Sequence, residues 1–290
     1  AVLGLTVFTA WLTRASRFTE HVGEYFLMLL LATLGMMFLV SSENLLMIFV
    51  SLELLSLSLY IMTAFNKRHR PSAESALKYF LFGGMSAGFM LYGLSWLYGC
   101  TGELSLAGIA GKLASLPADP LLLMAMAMVA IGLGFKVAAV PFHLWAPDTY
   151  QGAPLPTAAF IASGSKVASF FILAKVMMYG LKDAAGSGNW NGFAPGWVPL
   201  VAGMAALSMV LGNLAALVQS SVRRLLAFSA VAQAGYMLVG LMANDQAGVS
   251  ALMYYAITYA VTTLGAFGVV VVVQERLGQA SLAAFAGLGR

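Results

Sequence analysis

The sequence predicts an all-α polytopic membrane protein, and its composition and hydropathy both indicate this fold class. Of the 290 residues, 61% are hydrophobic and only 9% are charged, and the mean hydropathy is +0.88. Soluble domains carry about 25% charged residues. Several apolar runs also approach the roughly 20 residues that a helix needs to cross the hydrocarbon core of a bilayer. No stretch of the sequence is typical of a soluble domain.

We expect nine membrane helices, of which the first is incomplete. They are predicted at 1–13, 24–42, 44–65, 75–98, 120–141, 156–181, 197–219, 223–243 and 247–274. The connectors 99–119, 142–155 and 182–196 contain prolines, glycines or charges that argue against further spans. The chain begins in an apolar run without methionine and stops at GLGR, so we expect it to be a piece of a longer protein.

The basic residues are distributed unequally over the two ends of these helices. One end receives Arg14, Arg17, Lys67, Arg68, Arg70, Arg223, Arg224, Arg276 and Arg290. The other end receives Lys112 and Lys182. The positive-inside rule therefore predicts that the first end is cytoplasmic. The net charge of +4 does not indicate a nucleic-acid partner, because these residues lie in short loops and form neither a face nor a tail.

Three motifs that suggest other chemistry are set aside. The single cysteine, Cys100, excludes a disulfide framework and leaves no cluster with metal-ligand spacing, so redox chemistry would have to take place elsewhere. The run Ser163 to Lys166 fits S-x-x-K but lies within a span and lacks the partner motifs of a serine hydrolase. Gly132-Leu133-Gly134 lacks the third glycine and preceding strand of a dinucleotide site, so close helix packing explains it better.

A helix break between two lysines is the central feature of the sequence. Pro141 has no amide hydrogen and its ring crowds the carbonyl of residue 137, so the helix that begins at Pro120 must kink or stop beside Lys136. Backbone groups freed inside a bilayer must face protein or water, and interrupted helices form the transport sites of many carriers. We predict the loss of regular helical hydrogen bonding between about residues 137 and 145, and ion movement beside it.

Five ionisable residues lie within apolar helices, namely Glu53, Lys78, Lys136, Lys166 and Lys175. A charge at the bilayer centre costs about 3 kcal/mol or more, so each is a functional candidate. For Glu53 and Lys136 the alternative is a merely structural ion pair. Lys78 and Lys175 lie near helix ends, where snorkelling to the headgroups competes with function. Lys166 has no acid in its own helix, which favours a titrating or hydrated role.

Two further features concern the surroundings of the lysines. The small residues Ser163, Gly164 and Ser165 are expected to leave room for water beside Lys166. His143, between Phe142 and Trp145 in the break, either relays protons or is an interfacial residue.

A weak internal repeat is visible when 24–98 is moved about 175 residues along the chain. ALKYF at 76–80 then meets ALMYY at 251–255, and Gly35 falls near Gly212. The unit would contain five helices, and an odd number inverts the second copy in the membrane. We predict a partial helix and loop over 1–23, a first repeat over 24–182 broken near Pro141, and an incomplete second repeat of three helices over 197–290.

Three runs carry a family resemblance: KVAAVPFHLWAPDTYQGAPLPTAAFIASGSKVASF, SLELLSLSLY at 51–60 and ALKYFLFGG at 76–84. They closely resemble subunit N of the proton-pumping NADH:quinone oxidoreductase, respiratory complex I, which is called subunit 2 in mitochondria. The core Pro-x-His-x-Trp-x-Pro-Asp at 141–148 is shared with subunits L and M and with multisubunit sodium/proton antiporters. The resemblance to subunit N is carried by Gln151-Gly152-Ala153-Pro154 and Gly164-Ser165-Lys166, and it covers essentially the whole chain.

The resemblance implies an antiporter-like bundle of inverted five-helix repeats, each with a broken helix, the second truncated here. It implies a non-redox subunit of a proton-translocating enzyme in the bacterial cytoplasmic (inner) membrane. Other subunits of complex I, including L/M-like antiporter subunits, would be its partners and would bind NADH, flavin, iron–sulfur clusters and quinone.

The same resemblance implies roles for individual residues. Glu53 looks like the acid that pairs with the broken-helix lysine, Lys136. Lys166 looks like the central relay lysine, and Lys78 resembles a further lysine of less clear role. The exit-side lysine of the family would lie beyond Arg290, so these residues do not complete a proton path.

Two other functions remain open: a subunit of a sodium/proton antiporter, which sodium-dependent transport would reveal, and a purely structural membrane subunit.

Overall fold

The structure, a computed structural model, describes residues 1–16, 18–114, 119–189 and 191–287. Arg17 and Arg290, two of the basic residues predicted to be cytoplasmic, lie outside these ranges. The α-helices of the described residues are α1 (Val2–Ala15), α2 (Val22–Ser41), α3 (Leu45–Thr63), α4 (Arg70–Thr101), α5 (Leu106–Leu113), α6 (Pro120–Val137), α7 (Trp145–Gly152), α8 (Leu155–Phe160), α9 (Lys166–Lys175), α10 (Trp197–Leu217), α11 (Val222–Met242) and α12 (Gln246–Leu277). The π-helical turn Ile161–Ser165 joins α8 to α9, and the π-helical turn Val176–Gly180 follows α9, so that Leu155–Gly180 is one continuous helical segment.

Eight helical segments of the described chain are long and apolar enough to span a membrane, and α1 is a shorter apolar helix. The predicted all-α polytopic fold is therefore confirmed, with a helix at each of the nine expected places. The largest difference is α4, which has 32 residues where the apolar run predicted 75–98. Proline at its first turn begins α4 within a polar stretch, and Gly102, at φ +69°, ends it.

The predicted break lies between α6 and α7. Helix α6 ends at Val137, Ala138 adopts a left-handed conformation with φ of +57°, and α7 begins at Trp145. The helix stops a few residues before Pro141 because the proline ring excludes helical geometry for the residues before it. The prediction of lost helical hydrogen bonding between about 137 and 145 is confirmed.

Two helix pairs repeat the same close contact. A Cβ on Gly35 of α2 would come within 2.7 Å of the Leu55 amide nitrogen of α3. A Cβ on Gly212 of α10 would come within 2.6 Å of the Ala232 amide nitrogen of α11. Gly212 and Ala232 follow Gly35 and Leu55 by 177 positions, so both repeats use glycine to bring two helix backbones together.

An isolated backbone bridge recurs with almost the same offset. Asn44 pairs with Ser105, and Ser221 pairs with Ser281, both in antiparallel fashion. Each bridge ties the start of a membrane helix, α3 or α11, to the chain that follows a 32-residue helix, α4 or α12. This recurrence in the structure corresponds to the weak repeat in the sequence. The repeat limits 24–182 and 197–290 stay a prediction.

The alternating helices place most described basic loop residues at one end of the bundle, here called the basic end. These residues are Arg14, Lys67, Arg68, Arg70, Arg223, Arg224 and Arg276. Lys112 and Lys182 lie at the opposite end. The C-terminus of α7 points to the basic end, because α8 starts there and runs back towards the other side.

Candidate functional site

Lys136 lies in the last turn of α6, and the residue is only 4% exposed. Its Nζ is 5.5 Å from the ring centroid of Tyr60, 5.8 Å from that of Tyr79 and 5.5 Å from that of Phe135. No hydrogen-bond partner for this Nζ occurs in the described part of the chain. The ammonium is therefore surrounded by aromatic faces, and desolvated contacts of this kind are worth about 2 kcal/mol.

Glu53 lies on the same face of α3 as Tyr60, because seven residues make almost two helical turns. The residue is partly buried, and its Oε1 is buried without a hydrogen-bond partner among the described atoms. Glu53 and Lys136 interact electrostatically. However, no direct ion pair joins them within the described ranges. The fold brings the two predicted partners within electrostatic range but leaves both polar ends unpaired.

Backbone polar groups that the break leaves without helical partners form hydrogen bonds with side chains of the protein. The Trp145 indole Nε1 donates to the carbonyl of Phe135 at 2.9 Å, and the Val140 amide donates to Ser208 Oγ at 2.8 Å. Trp145 also stacks on Tyr79 with ring centroids 4.4 Å apart. His143 lies within the break and is partly buried, and its relay role stays a prediction.

Lys166 begins α9 directly after the π-helical turn Ile161–Ser165, and the residue is 2% exposed. Its Nζ donates a hydrogen bond to the backbone carbonyl of Ala230 on α11 and lies 5.6 Å from the ring centroid of Tyr259 on α12. Within the described ranges no carboxylate forms an ion pair with it. Single π-helical turns within α-helices, such as this one, are frequent at functional sites.

Two side chains lie beside Gly164 in the structure, and room for water beside Lys166 stays a prediction. A Cβ there would lie 3.2 Å from Phe160 Cε2 and 3.6 Å from Met36 Cε, so these side chains already fill that side of the helix. The sequence pattern could not show this, because Met36 comes from a helix more than a hundred residues away.

Lys78 takes part in a charged cluster that the sequence analysis missed. Its Nζ lies 3.0 Å from Asp148 Oδ2 and 2.7 Å from Glu74 Oε1, and Arg224 Nη1 donates to Asp148 Oδ1 at 2.7 Å. Asp148 of α7 thus connects α4 and α11 at the basic end. Burial raises the pKa of this carboxyl, which lies outside the eight spans, but the bonds from Lys78 and Arg224 lower the pKa to below its ordinary value. The sequence did contain one indication of this cluster, because Asp148 is the last residue of the family core at 141–148.

Two further cations hold helix ends. Arg223 is only 8% exposed and donates to the carbonyls of Tyr150 and Ala153 at the C-terminus of α7. Lys175 donates to the carbonyl of Ser42 at 2.9 Å, at the C-terminus of α2, and lies 3.4 Å from Glu43. Both cations cap a helix C-terminus, because they donate hydrogen bonds to carbonyls that lack a partner within the helix. For Lys175 this contact favours a helix-capping role, which differs from both the relay role and the snorkelling considered above.

Comparison with protein families gives a match over residues 42–290 to the family described as NADH:quinone oxidoreductase/Mrp antiporter, TM. A curated relative from Acidobacterium capsulatum, named NADH-quinone oxidoreductase subunit N 2, is 58% identical over 275 residues, which is 95% of this chain and 55% of the relative. The chain spans about half the length of the curated relatives it matches.

Solved structures agree with this match. A chain of respiratory complex I from Thermus thermophilus is similar with a TM-score of 0.75 and 39% identity, over 91% of this chain and 55% of that one. A chain of the Mrp complex from Dietzia sp. has a TM-score of 0.80 at 20% identity, over 97% of this chain and 51% of its own length. The Mrp likeness supports the fold alone.

Proposed function

Because this chain belongs to the NADH:quinone oxidoreductase/Mrp antiporter family of transmembrane proteins, we propose that it is part of a subunit-N-type proton-translocating subunit of an NADH:quinone oxidoreductase. The observation that carries the proposal is the pair of buried lysines. Lys136 and Lys166 are each less than 5% exposed, and neither forms an ion pair in the described part of the chain. A purely structural subunit would not require charged side chains inside the membrane, because burying them there costs free energy.

The surroundings of Lys136 support a switch in its protonation. The negative charge of Glu53 favours the ammonium form of Lys136, because the two groups interact electrostatically across a buried region. Their polar ends are unpaired, so a modest displacement of α3 against α6, or protonation of Glu53, changes that interaction without breaking a bidentate contact. Lys136 then releases its proton in the direction of Lys166. The driving signal comes from electron transfer in other subunits.

The partners and cofactors follow from the same proposal. The chain assembles with other membrane and peripheral subunits of complex I, including L/M-like antiporter subunits, and with lipid. NADH, flavin, iron–sulfur clusters and quinone are bound by those other subunits. The membrane is the bacterial cytoplasmic membrane, and the basic end faces the cytoplasm.

Substitution of the two lysines tests this function in vesicles that contain the full-length subunit in its assembled complex. We expect Lys136→Ala and Lys166→Ala to reduce NADH-driven proton uptake while NADH oxidation by an uncoupled complex continues. Lys175→Ala is the matched control. Lys175 lies in the same helical segment as Lys166, but its side chain caps the C-terminus of α2. Parental uptake in both lysine variants would favour a structural subunit, and uptake that requires added sodium would favour a sodium/proton antiporter.

A further inference from the structure

Tyr150 of α7 is a fully buried tyrosine whose hydroxyl has no hydrogen-bond partner among the described residues. Buried hydroxyls are almost always hydrogen-bonded in folded proteins, because an unpaired one loses its water without compensation. Tyr25 is the ordinary case, since it is equally buried and its hydroxyl lies 2.9 Å from Thr157 Oγ1. The unpaired hydroxyl of Tyr150 therefore requires a physical explanation.

One side of Tyr150 faces the aromatic surroundings of Lys136. Its ring packs edge-on against Trp145 with centroids 6.4 Å apart, and Trp145 stacks at 4.4 Å on Tyr79. Tyr79 is one of the rings around the Lys136 ammonium. The indole nitrogen of Trp145 already donates to a backbone carbonyl, so Trp145 has no free donor for a second partner.

The other side of Tyr150 faces α12. Its ring packs against Phe267 with centroids 5.9 Å apart, and the same helix presents Tyr259 to the Lys166 ammonium. Tyr79 and Tyr259 both lie within electrostatic range of the Tyr150 hydroxyl. Tyr150 thus lies near a ring that contacts one lysine and near a ring that contacts the other.

We propose that the hydroxyl of Tyr150, together with bound water, is the hydrogen-bonding link that passes a proton between the Lys136 and Lys166 sites. The hydroxyl oxygen accepts a proton that comes from the Lys136 ammonium through water, and the hydroxyl's own proton leaves towards the neutral amine of Lys166. Tyr150 is a neutral phenol before and after, and one positive charge has moved from the first lysine to the second. This inference rests on the proposed function, because it requires the two lysines to exchange protons.

The test is Tyr150→Phe in the full-length subunit within its complex, which removes the hydroxyl and keeps the ring that packs on Trp145 and Phe267. We expect NADH oxidation by the uncoupled complex to continue and NADH-driven proton uptake to fall as far as in Lys166→Ala. Tyr25→Phe is the matched control, since it also removes a buried hydroxyl but lies outside this path, and its uptake should equal that of the parent.

A double variant separates a relay from a packing role. If Tyr150 acts on the same path as Lys166, Tyr150→Phe combined with Lys166→Ala loses no more uptake than Lys166→Ala alone. Additive losses would overturn the relay, as would parental uptake in Tyr150→Phe while both lysine variants are impaired. If the lysine variants also pump normally, the proposed function itself fails. If Tyr150→Phe does not assemble, the unpaired state of the hydroxyl is contradicted, because removing a group that makes no hydrogen bond should not destabilise the fold.

Discussion

Lys166 donates a hydrogen bond to the backbone carbonyl of Ala230, and Ala230 lies 177 positions after Glu53. The same offset relates the contacting glycines of the two repeats. The position that carries a carboxylate near Lys136 therefore supplies only a carbonyl to Lys166. A carbonyl attracts an ammonium with a partial charge, whereas a carboxylate does so with a full charge. Among the described residues, Lys166 therefore lacks the opposite full charge that lies near Lys136.

Replacing Lys166 by arginine should abolish its part in proton transfer although the positive charge is kept. A guanidinium stays protonated at any working pH and cannot hand a proton on, but it can still donate to the Ala230 carbonyl. We expect NADH-driven proton uptake by vesicles carrying the Lys166→Arg subunit to be as low as with Lys166→Ala. Uptake at the parental rate with arginine, together with a loss with alanine, would mean that the site needs only a fixed charge.

Lys175→Arg serves as the control for this substitution. Lys175 also contacts a backbone carbonyl, that of Ser42, but it does so at the end of α2 and is 17% exposed. An arginine can provide the same capping contact, so proton uptake should stay at the parental level.

Glu53→Ala should impair proton uptake while the subunit remains assembled, because it removes the charge that favours the protonated form of Lys136. Glu53→Asp should have a milder effect, since the charge remains and only its reach is shortened. Proton uptake in vesicles and native gel electrophoresis of the complex measure the two properties separately. Full uptake with alanine in an assembled complex would exclude Glu53 from the mechanism.

The break and the buried lysines could be predicted because they depend on local chemistry. Pro141 lacks an amide hydrogen wherever it stands, and a lysine inside an apolar run is conspicuous in any fold. The repeat was also detectable, although weakly, because Gly35 and Gly212 meet the same packing requirement in each copy. Some helix ends differed from the apolar runs by a few residues; Asp245, for example, caps α12 so that it begins at Gln246, one residue before the predicted start.

The charged cluster could not be predicted in the same way because its members meet only in the folded chain. Asp148 joins Lys78 and Arg224, which are 70 and 76 positions away. Arg223 was counted as a loop cation, yet it is buried against α7. The sequence alone does not distinguish Arg223 from its neighbour Arg224, which is only partly buried.

Gly35→Ala should destabilise the subunit, whereas Gly88→Ala should not. A methyl group on Gly35 would come 2.7 Å from a backbone nitrogen of α3, and backbone cannot move aside cheaply. Overpacking of this kind costs about 1–3 kcal/mol. Gly88 of α4 has nothing within 4 Å of its added Cβ, so alanine there should gain up to about 1 kcal/mol from helix propensity. Thermal unfolding of the full-length subunit in detergent measures both, and equal midpoints would contradict the close contact of α2 with α3.

The adjacent arginines at the start of α11 should differ sharply when each is replaced by glutamine. Arg223 donates to the carbonyls of Tyr150 and Ala153 while almost fully buried, so its loss leaves the C-terminus of α7 without partners. Buried hydrogen bonds from a charged donor contribute about 1.5–3 kcal/mol each. Arg224 is 31% exposed and pairs with Asp148 near water, where ion pairs are worth at most about 1 kcal/mol.

We therefore expect Arg223→Gln to lower the unfolding midpoint of the full-length subunit markedly and Arg224→Gln to leave it nearly unchanged. Because α7 also carries Tyr150 and begins with Trp145, a loosened α7 should disturb the Lys136 site as well. Arg223→Gln should thus reduce NADH-driven proton uptake at temperatures well below its unfolding midpoint. Arg223→Lys restores a cation with a single donor group in place of the guanidinium fork and should recover part of the stability. If the two glutamine variants unfold at the same temperature, the bonds from Arg223 to α7 do not hold this helix in place.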